Sequence, residues 1–386
     1  MLNVKSSFVL KQILKNTKDK IYLEIIRYNK KIQKRLDKSL KDYKLYNQIE
    51  IELKSILNND SDAKFININN DNKNYIHLYP NNEVNNKYSE SFINNKESSF
   101  KSNLKVVKKK ILIDFEMKIF KGLFKNCEYI EEINFIKCNR KDIFDISEMF
   151  YGCKKLSSLN LLNFNTDKVI DMCYLFYRCS SLEIIDLSNF NTPKVINMQN
   201  MFGECSKLKA LDLSSFNTAN VINMNDMFYN CISLTDINKI NFDTSNVINM
   251  SYMFYNCLEL KELNIDNFDT SKVLDMSYMF YNCENIIKLS LSKFNTSNVI
   301  NMTNMFGGCK NLNDLNIDNF DIKNITRIKY MFSRCNSHLK NEIRKKVLNL
   351  KDDSFEDERN LEKEEGNDLF DFLDSRNLFD LDFIDE

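Results

Sequence analysis

The chain has 386 residues, 43% of them hydrophobic, so it is long enough to bury a substantial core. Its 54 basic and 54 acidic residues give zero net charge, which argues against a nucleic-acid partner, because phosphate binding needs a basic excess. A membrane-spanning helix needs about 18 consecutive apolar residues. No apolar run in the sequence is that long, so we expect no membrane span. The charge is uneven, however. Residues 1–57 carry 14 bases against 6 acids, and residues 351–386 carry 15 acids against 4 bases, which suggests separate roles for the two ends.

The first stretch, residues 1–57, is predicted to be a small helical unit with a basic solvated face. Ile21, Ile25 and Ile32 recur at helical spacing, whereas residues 41–56 are less regular and end in a strand-like alternation. A helical hairpin ahead of leucine-rich repeats resembles the arrangement of an F-box, whose helices dock a ubiquitin-ligase subunit, although the Leu-Pro opening of that motif is absent. The opening residues also lack an apolar run before a small-residue cleavage site, so we expect no signal peptide.

The next stretch combines a linker with candidate strands. Residues 58–73 are polar and predicted to be a linker. Residues 74–80 and 104–116 alternate and are rich in β-branched side chains, so they predict strands. We expect residues 74–126 to form a cap, because the ends of a repeat stack need an atypical cover.

Residues 127–335 are organised around a phrase of 26 residues, which predicts about eight to nine stacked copies. Cysteine marks the same position of every copy: Cys127, Cys153, Cys179, Cys205, Cys231, Cys257, Cys283, Cys309 and Cys335. A period in the twenties is typical of solenoids, in which each copy buries its apolar face against its neighbours. The predicted fold class is therefore an α/β repeat.

Each copy contains two apolar motifs. The first is Leu-x-x-Leu-x-Leu, as at Leu208, Leu211 and Leu213. Its second half has period two, which predicts a short strand pairing in parallel with the next copy. The second motif is Val-x-x-Met-x-x-Met-Phe-x-x-Cys, as at Val247 to Cys257, whose spacing predicts a short helical turn. Together they predict a leucine-rich-repeat-like solenoid with short parallel strands and short helical turns.

Between these motifs lies a corner of the form Phe-Asn/Asp-Thr, as at Phe268, Asp269 and Thr270. Asn, Asp and Thr can turn the chain by binding their own backbone, and stacked copies would satisfy the corner backbone of the neighbour. The rival interpretation is a calcium site using Asp243, Asp269 and Asp321. Calcium needs several oxygens around one point, and Asn replaces Asp in other copies, so the structural interpretation is preferred.

The cysteine row predicts buried, unpaired thiols. Free cysteine behaves as a small hydrophobic residue, and a row spreads its sulfurs along a line where a metal needs convergence. Unpaired thiols suit a reducing compartment, so the predicted location is the cytoplasm.

Two sets of side chains fall off the core positions and are candidate partner-binding residues. One is a polar ladder within the leucine motif, which includes Asp186, Asp212 and Asn264. The other consists of tyrosines that flank the cysteine motif: Tyr174, Tyr229, Tyr252, Tyr255, Tyr278 and Tyr281. Exposed tyrosine is favoured at interfaces, whereas the alternative is half-buried tyrosines that pack from copy to copy.

The chain after the repeats has two parts. Residues 336–350 predict a closing helix over the last copy. Residues 351–386 predict an acidic, mostly disordered tail, in which apolar residues alternate with acids and include Phe370, Phe372, Phe379 and Phe383. Such alternation often folds onto a partner. The alternatives are a solubilising tail and a segment that folds back on the basic N-terminal helices.

The motifs of catalysis are missing. The two histidines, His77 and His338, lie outside the repeats, and no glycine-rich phosphate loop, Cys-x-x-Cys pair or nucleophile elbow is found. A surface that repeats nearly unchanged is poorly suited to one unique catalytic arrangement. We therefore expect no enzyme, no cofactor, no metal and no small-molecule substrate.

The repeat phrase resembles the BspA-like leucine-rich repeat family, and Ser181–Cys205 carries its pattern almost whole. The resemblance implies a solenoid with a binding role, and relatives are linked with adhesion to hosts, matrix or other cells. Our hypothesis is a non-enzymatic protein–protein interaction scaffold with a protein partner. The alternatives are an F-box-like ubiquitin-ligase substrate adaptor and a BspA-like adhesin at the cell surface.

Overall fold

The computed structural model describes residues 30, 34, 40–57, 63–80, 105–237, 240–347 and 350–357. The elements in this part of the chain are α1 (Leu40–Asn47), β1 (Ile49–Leu57), β2 (Ile76–Pro80), β3 (Lys105–Ile113), β4 (Ile130–Lys137), β5 (Ser158–Asn160), β6 (Lys288–Ser290), β7 (Asp314–Asn316), α2 (Ser337–Lys346) and a 3-10 turn (Asp352–Ser354). The regular structure is mostly sheet with few helices. The helices predicted before residue 40, and with them the F-box-like arrangement, lie almost wholly outside the described residues.

The N-terminal part is a sheet with the strand order β2-β3-β1-β4-β5. β1 pairs antiparallel with β3 and β4, and β4 pairs in parallel with β5. The prediction of a helical unit up to residue 57 is therefore wrong for Ile49–Leu57. Ile49, Ile51 and Leu53 are all buried, and a period of two places them on one face of a strand.

The stretch predicted as a linker contacts the rest of the protein where it is described. Ile66 is buried, and the Asn67 N–H donates to the Leu123 carbonyl at 2.8 Å. The Asn67 amide also donates to the Lys125 carbonyl at 2.9 Å. Residues 63–69 therefore pack on the first copy.

Residues 118–335 form a repeat array whose copies are hydrogen-bonded in register. Parallel bridges join residues that are 26 apart, from Ile119↔Asp145 through to Asn301↔Arg327. Every second amide of the cysteine motif also donates to the next copy, as the Phe176 N–H does to the Met201 carbonyl at 2.9 Å. The predicted repeat architecture is confirmed.

The continuous ladder does not lie where it was predicted. Among the described residues, leucine motifs pair as strands at β4–β5 and β6–β7 and otherwise meet at the bridge Ala210↔Asp236, whereas the unbroken ladder runs through the Val-x-x-Met segment. Side chains join many of the leucine segments instead. Asn189 donates its amide to the Leu161 carbonyl at 2.9 Å and the Phe164 carbonyl at 2.7 Å.

The predicted helical turns are also wrong, because the described part of the array contains no helix. Each copy has two residues in the left-handed region, such as Tyr252 (φ 56°) and Asn256 (φ 54°). A right-handed helix cannot continue through such a residue. Their amides instead donate to the next copy, Tyr252 to Ser277 at 2.9 Å and Asn256 to the Tyr281 carbonyl at 2.8 Å.

The core is a set of stacked columns. Phe254 and Phe280 lie 5.8 Å apart between ring centroids with planes 2° apart. The nine cysteines of the row are free and buried, which confirms the predicted thiols, and the Cys205 Sγ donates to the Phe176 carbonyl at 3.1 Å. Burial raises the pKa of Cys205 to about 12, since it penalises the thiolate.

The C-terminal end of the array is covered by α2 and the residues after it. The Tyr330 N–H donates to the Asp353 carbonyl at 2.9 Å. Phe355 stacks on Phe332 at 5.5 Å and lies under the Arg344 guanidinium. The prediction of a disordered tail from residue 351 is therefore wrong for residues 351–357, and residues 358–386 lie outside the described part.

Candidate partner-binding surface

The polar ladder proposed from the sequence is exposed but serves the backbone. Asp186 and Asn264 each accept the N–H two residues ahead, at 2.9 Å and 3.2 Å. Asp212 accepts both the N–H and the hydroxyl of Ser214. The Ser188 contacts lower the pKa of Asp186, because they stabilise the carboxylate. These side chains hold the turn after the leucine motif, and a role in partner binding stays a prediction.

Five of the six proposed tyrosines form one stacked group. Tyr252 and Tyr278 lie 4.6 Å apart with planes 8° apart, and Tyr255 lies between Tyr229 (4.8 Å) and Tyr281 (5.0 Å). Most are half-buried, and Tyr281 is buried. Their faces are covered by neighbouring rings, so a flat ligand could reach chiefly the ring edges.

Tyr174 belongs to a separate group, with its ring 5.4 Å from Tyr177. Gly203 takes the tyrosine position in the next copy, and a Cβ there would lie 2.8 Å from the Tyr177 ring. The contacts of all six tyrosines are the copy-to-copy packing that the sequence left as the alternative. Their role in binding stays a prediction.

The corner side chains satisfy the backbone of the next copy, as predicted. The buried Thr270 hydroxyl donates to the Asn295 carbonyl at 2.9 Å and accepts the Asn295 N–H at 2.8 Å. Asp243, proposed in the calcium alternative, accepts the Ser245 N–H at 3.0 Å and its hydroxyl at 2.7 Å. In the described ranges, no group of three or more His, Cys, Asp or Glu side chains could hold a metal.

A row of outward-facing aliphatic residues was missed by the sequence reasoning. It follows the buried valine of each copy, and we call it the aliphatic stripe: Ile170, Ile196, Ile222, Ile248, Leu274 and Ile300. Each N–H donates to the carbonyl of the preceding member at 2.9–3.0 Å, from Ile196 onward. The side chains are thus held in register, about 4.8 Å apart. Exposed fractions of 36% for Ile222, 41% for Leu274 and 47% for Ile300 mark a real apolar surface.

Four members of the stripe, Ile170, Ile196, Ile222 and Ile248, form the floor of a shallow groove of about 640 Å³. Lys194, Asn220, Asn246 and Lys272 form one rim. The Asn220 and Asn246 amides each donate to a carbonyl of the preceding copy at 2.7 Å, and Lys272 donates to the Asn246 Oδ1 at 2.6 Å. This rim is therefore preorganised.

Comparison with known proteins gives one family. A family model described as "Mycoplasma protein of unknown function, DUF285" matches residues 118–237, 185–263 and 249–363, which together span more than half of the chain. The chain belongs to the DUF285 family. No curated protein and no solved structure matches it.

The DUF285 match begins at residue 118, one residue before the first bridge of the ladder at Ile119. Its three segments overlap, as expected for a family model that can align to a repeat in more than one register. The match includes the stripe and the covering residues up to Asp357, whereas β1, β2 and β3 lie outside it.

The groove of this DUF285 protein is bordered by basic and amide side chains. Lys194 and Lys272 line it beside Asn220 and Asn246, and both lysines are exposed. No carboxylate is among the described residues that line it. Asp171 and Asp275, which directly follow stripe residues in the sequence, each accept the N–H two residues ahead at 2.8 Å. The arrangement suits an apolar segment that carries acids.

A sequence signal for the stripe was available. In Val-Ile-Asn-Met, as at Val195 to Met198, valine and methionine are core residues, so strand alternation turns the isoleucine outward. An aliphatic residue that recurs at such a position is a candidate for an exposed apolar patch. Reading the segment as a helical turn concealed this.

The tail residues proposed for partner binding, Phe370, Phe372, Phe379 and Phe383, lie outside the described residues.

Among the helices that the structure describes, none has the length and apolar character needed to cross a bilayer.

Proposed function

We propose that this DUF285 protein is a non-enzymatic scaffold that binds another protein along the aliphatic stripe of a leucine-rich-repeat-like solenoid. The stripe is the observation that carries the proposal. Aliphatic side chains in a fixed row are apolar area that folding has left in water, and contiguous exposed patches are typical of interaction sites.

The groove favours a particular partner chemistry. Its floor is aliphatic, and its rim carries Lys194 and Lys272 beside the amides of Asn220 and Asn246. An extended or helical protein segment with apolar anchors and nearby carboxylates would fit both features, because a lysine stem can pass beside an apolar contact and place its ammonium at the edge.

We also propose that the repeat array is a solenoid and that the protein is located in the cytoplasm. The parallel bridges at a 26-residue spacing and the resemblance to BspA-like repeats support the solenoid. The buried, free thiols support a reducing compartment, the cytoplasm, because they are unpaired. Cell-surface display, as the BspA-like resemblance implies, is the alternative.

The test is affinity capture from the native cell, with three full-length baits. The baits are the unchanged chain, a stripe variant carrying Ile222→Asp and Ile248→Asp, and a control carrying Ile184→Asp and Ile287→Asp. Ile184 is 72% exposed and Ile287 is 56% exposed, and both lie off the stripe, so the control adds the same charge elsewhere. Circular dichroism of each bait checks the fold before capture.

We expect mass spectrometry to find a protein that the unchanged and control baits retain and the stripe variant loses. Purified, that protein should bind the unchanged chain directly, with an affinity at least about tenfold higher than for the stripe variant. A candidate captured equally by all three baits, or none at all, would contradict binding along the stripe.

A further inference from the structure

The chain itself contains a segment with the chemistry that the groove favours. Residues 358–386 carry 11 acids against 3 bases. Apolar residues are spaced among these acids: Leu369, Phe370, Phe372, Leu373, Leu378, Phe379, Leu381, Phe383 and Ile384. We propose that the 369–384 segment lies on the aliphatic stripe of its own chain and must be displaced before a partner binds. This inference rests on the proposed function of the stripe.

The apolar pattern matches the dimensions of the stripe. Phe379, Leu381 and Phe383 alternate with Asp380 and Asp382, so an extended chain would present the three apolar groups on one face. They would span about 13 Å at 3.3 Å per residue. Three ladder steps, from Ile196 to Leu274, span about 14 Å.

The charges are complementary in the same place. Lys194 and Lys272 line the groove, and no carboxylate is among the described residues that line it. Asp171 and Asp275 follow stripe residues in the sequence, and an Oδ1 of each is engaged with the backbone two residues ahead. An acidic segment over the stripe therefore meets ammonium groups at the border of the groove.

The end of the described chain lies at the correct end of the array for this contact. Asp357 accepts the Arg334 N–H at 2.7 Å and pairs with Lys340 at 2.8 Å, so it is fixed beside the last copy. The 22 residues from Asp357 to Phe379 can reach up to about 70 Å, and a random coil of that length has an r.m.s. span of about 26 Å. The stripe at Ile248 is three ladder steps, about 14 Å, from Thr326 of the last copy.

The tether makes even weak docking effective. A segment linked at this distance has an effective concentration on the order of millimolar. An intrinsic dissociation constant of about 0.1 mM would then leave the stripe covered in most molecules. A partner must compete with this cover, which gives the scaffold a built-in threshold.

The test places the photo-crosslinking residue p-benzoylphenylalanine at Phe383 in the full-length chain. After irradiation, peptide mapping should find cross-links to peptides that contain Ile196, Ile222, Ile248 or Leu274. Irradiating a mixture of isotopically heavy and light protein separates contact within a chain from contact between chains. Cross-links to residues 40–57, to other surfaces or only between chains would overturn the proposal, as would their absence.

Two variants sharpen the outcome. Ile222→Ser with Ile248→Ser should lower the yield of stripe cross-links about tenfold, whereas the matched control Ile184→Ser with Ile287→Ser, two exposed residues off the stripe, should leave it unchanged. Full-length protein carrying Phe379→Ser, Leu381→Ser and Phe383→Ser should bind the captured partner more tightly than the unchanged chain. If the cross-links fail and stripe-dependent partner binding persists, only the self-covering inference is lost. If the stripe variant binds the partner as well as the unchanged chain does, the proposed function fails as well.

Discussion

At the scale of single residues, side chains join the copies of the array by making hydrogen bonds that backbone groups would make in a strand. The Thr270 hydroxyl both donates to the Asn295 carbonyl and accepts the Asn295 N–H, which is the pairing that a strand residue would supply. Thr296 repeats the arrangement with Asp321 one copy later. A buried threonine therefore continues the hydrogen bonding around a corner where no strand can form.

Thr270→Val tests this role. The variant keeps the shape but removes the Thr270 partner of the Asn295 carbonyl and N–H, whose hydrogen bonds are partly buried, so we expect a loss of about 1–3 kcal/mol in the free energy of unfolding. Urea denaturation measures the loss. Thr235→Val is the matched control, because Thr235 is exposed and its bond to the Lys209 carbonyl can be replaced by water. Equal losses in the two variants would mean that the buried Thr270 bridge contributes no more to stability than the exposed hydrogen bond of Thr235.

The cysteine row predicts an alkaline limit to stability. Burial raises the pKa of Cys205 and of Cys283 to about 12, from 9.0. The contribution of such a thiol is complete below pH 9.0, where it is protonated in both states. It is lost as the pH rises toward 12, because only the unfolded chain releases the proton there. We expect the free energy of unfolding, measured by urea denaturation, to fall steeply above about pH 9, by about 1.4 kcal/mol per pH unit for each thiol.

Cys205→Ser separates this effect from the titration of lysine and tyrosine. Serine keeps a donor for the Phe176 carbonyl and does not ionise in this range, so the slope of stability against pH should decrease by one proton. An unchanged slope would count against the thiol mechanism.

At the scale of elements, the end of the array is closed by a short segment without a regular strand. Phe355 is buried, stacks on Phe332 and lies 4.3 Å below the Arg344 guanidinium. It extends the phenylalanine column beyond the last copy. The carbonyls of Asp353 and Ser354 accept the amides of Tyr330 and Phe332 that would otherwise face water.

Phe355→Ala should therefore weaken the end of the array first. We expect a loss of about 2–4 kcal/mol. Hydrogen exchange should rise mainly in residues 309–343, because a stacked copy contacts only its neighbours. Phe355→Leu, which keeps most of the apolar volume, should show a much smaller change. Uniformly faster exchange along the whole array would contradict a local cover.

The elements also mark how far the sequence could be read. The period of Cys257 and its equivalents predicted the copies and the core, because a buried position must repeat in every copy. The local conformation was harder. Apolar steps of three, three, one and three between Val247 and Cys257 fit a helix and successive tight turns equally well. A left-handed turn is usually signalled by glycine in the sequence, but here the left-handed position is occupied by Tyr252.

The candidate site was missed for the same reason. A helical interpretation of the Val-x-x-Met segment assigns no face to Ile222 and Ile248, whereas a strand places them outward. Phe355 was likewise hidden, because it stands in a run of acids that is typical of a solvated tail. Composition described the average of that run and could not show that one aromatic anchors its beginning.

At the scale of the whole molecule, the in-register ladder means that the number of copies can change while the fold of each remaining copy stays the same. Equivalent positions of successive copies make the same hydrogen bonds: the Ile222 N–H donates to the Ile196 carbonyl, and the Ile248 N–H donates to the Ile222 carbonyl. Deleting 26 residues, 245–270, joins Thr244 to Ser271 and leaves every remaining position in phase. We expect this variant to unfold cooperatively, with a modest loss of stability.

A deletion of half a copy is the control. Removing residues 245–257 would leave one copy of 13 residues, whose core positions cannot align with those of the copies on both sides, so we expect loss of the native near-ultraviolet circular dichroism. Size-exclusion chromatography and thermal unfolding of the two variants measure the difference. Similar behaviour of both deletions would argue that the copies do not need to be in phase.

The direction of the ladder has a mechanical consequence. Its backbone hydrogen bonds point from one copy to the next, so tension applied to the two ends of the array pulls them apart along their own length. Bonds loaded in this way open singly, from a free edge, whereas bonds loaded in shear must break together. Under a pulling force, the chain would therefore lengthen in small, even steps and behave as a soft, reversible spring.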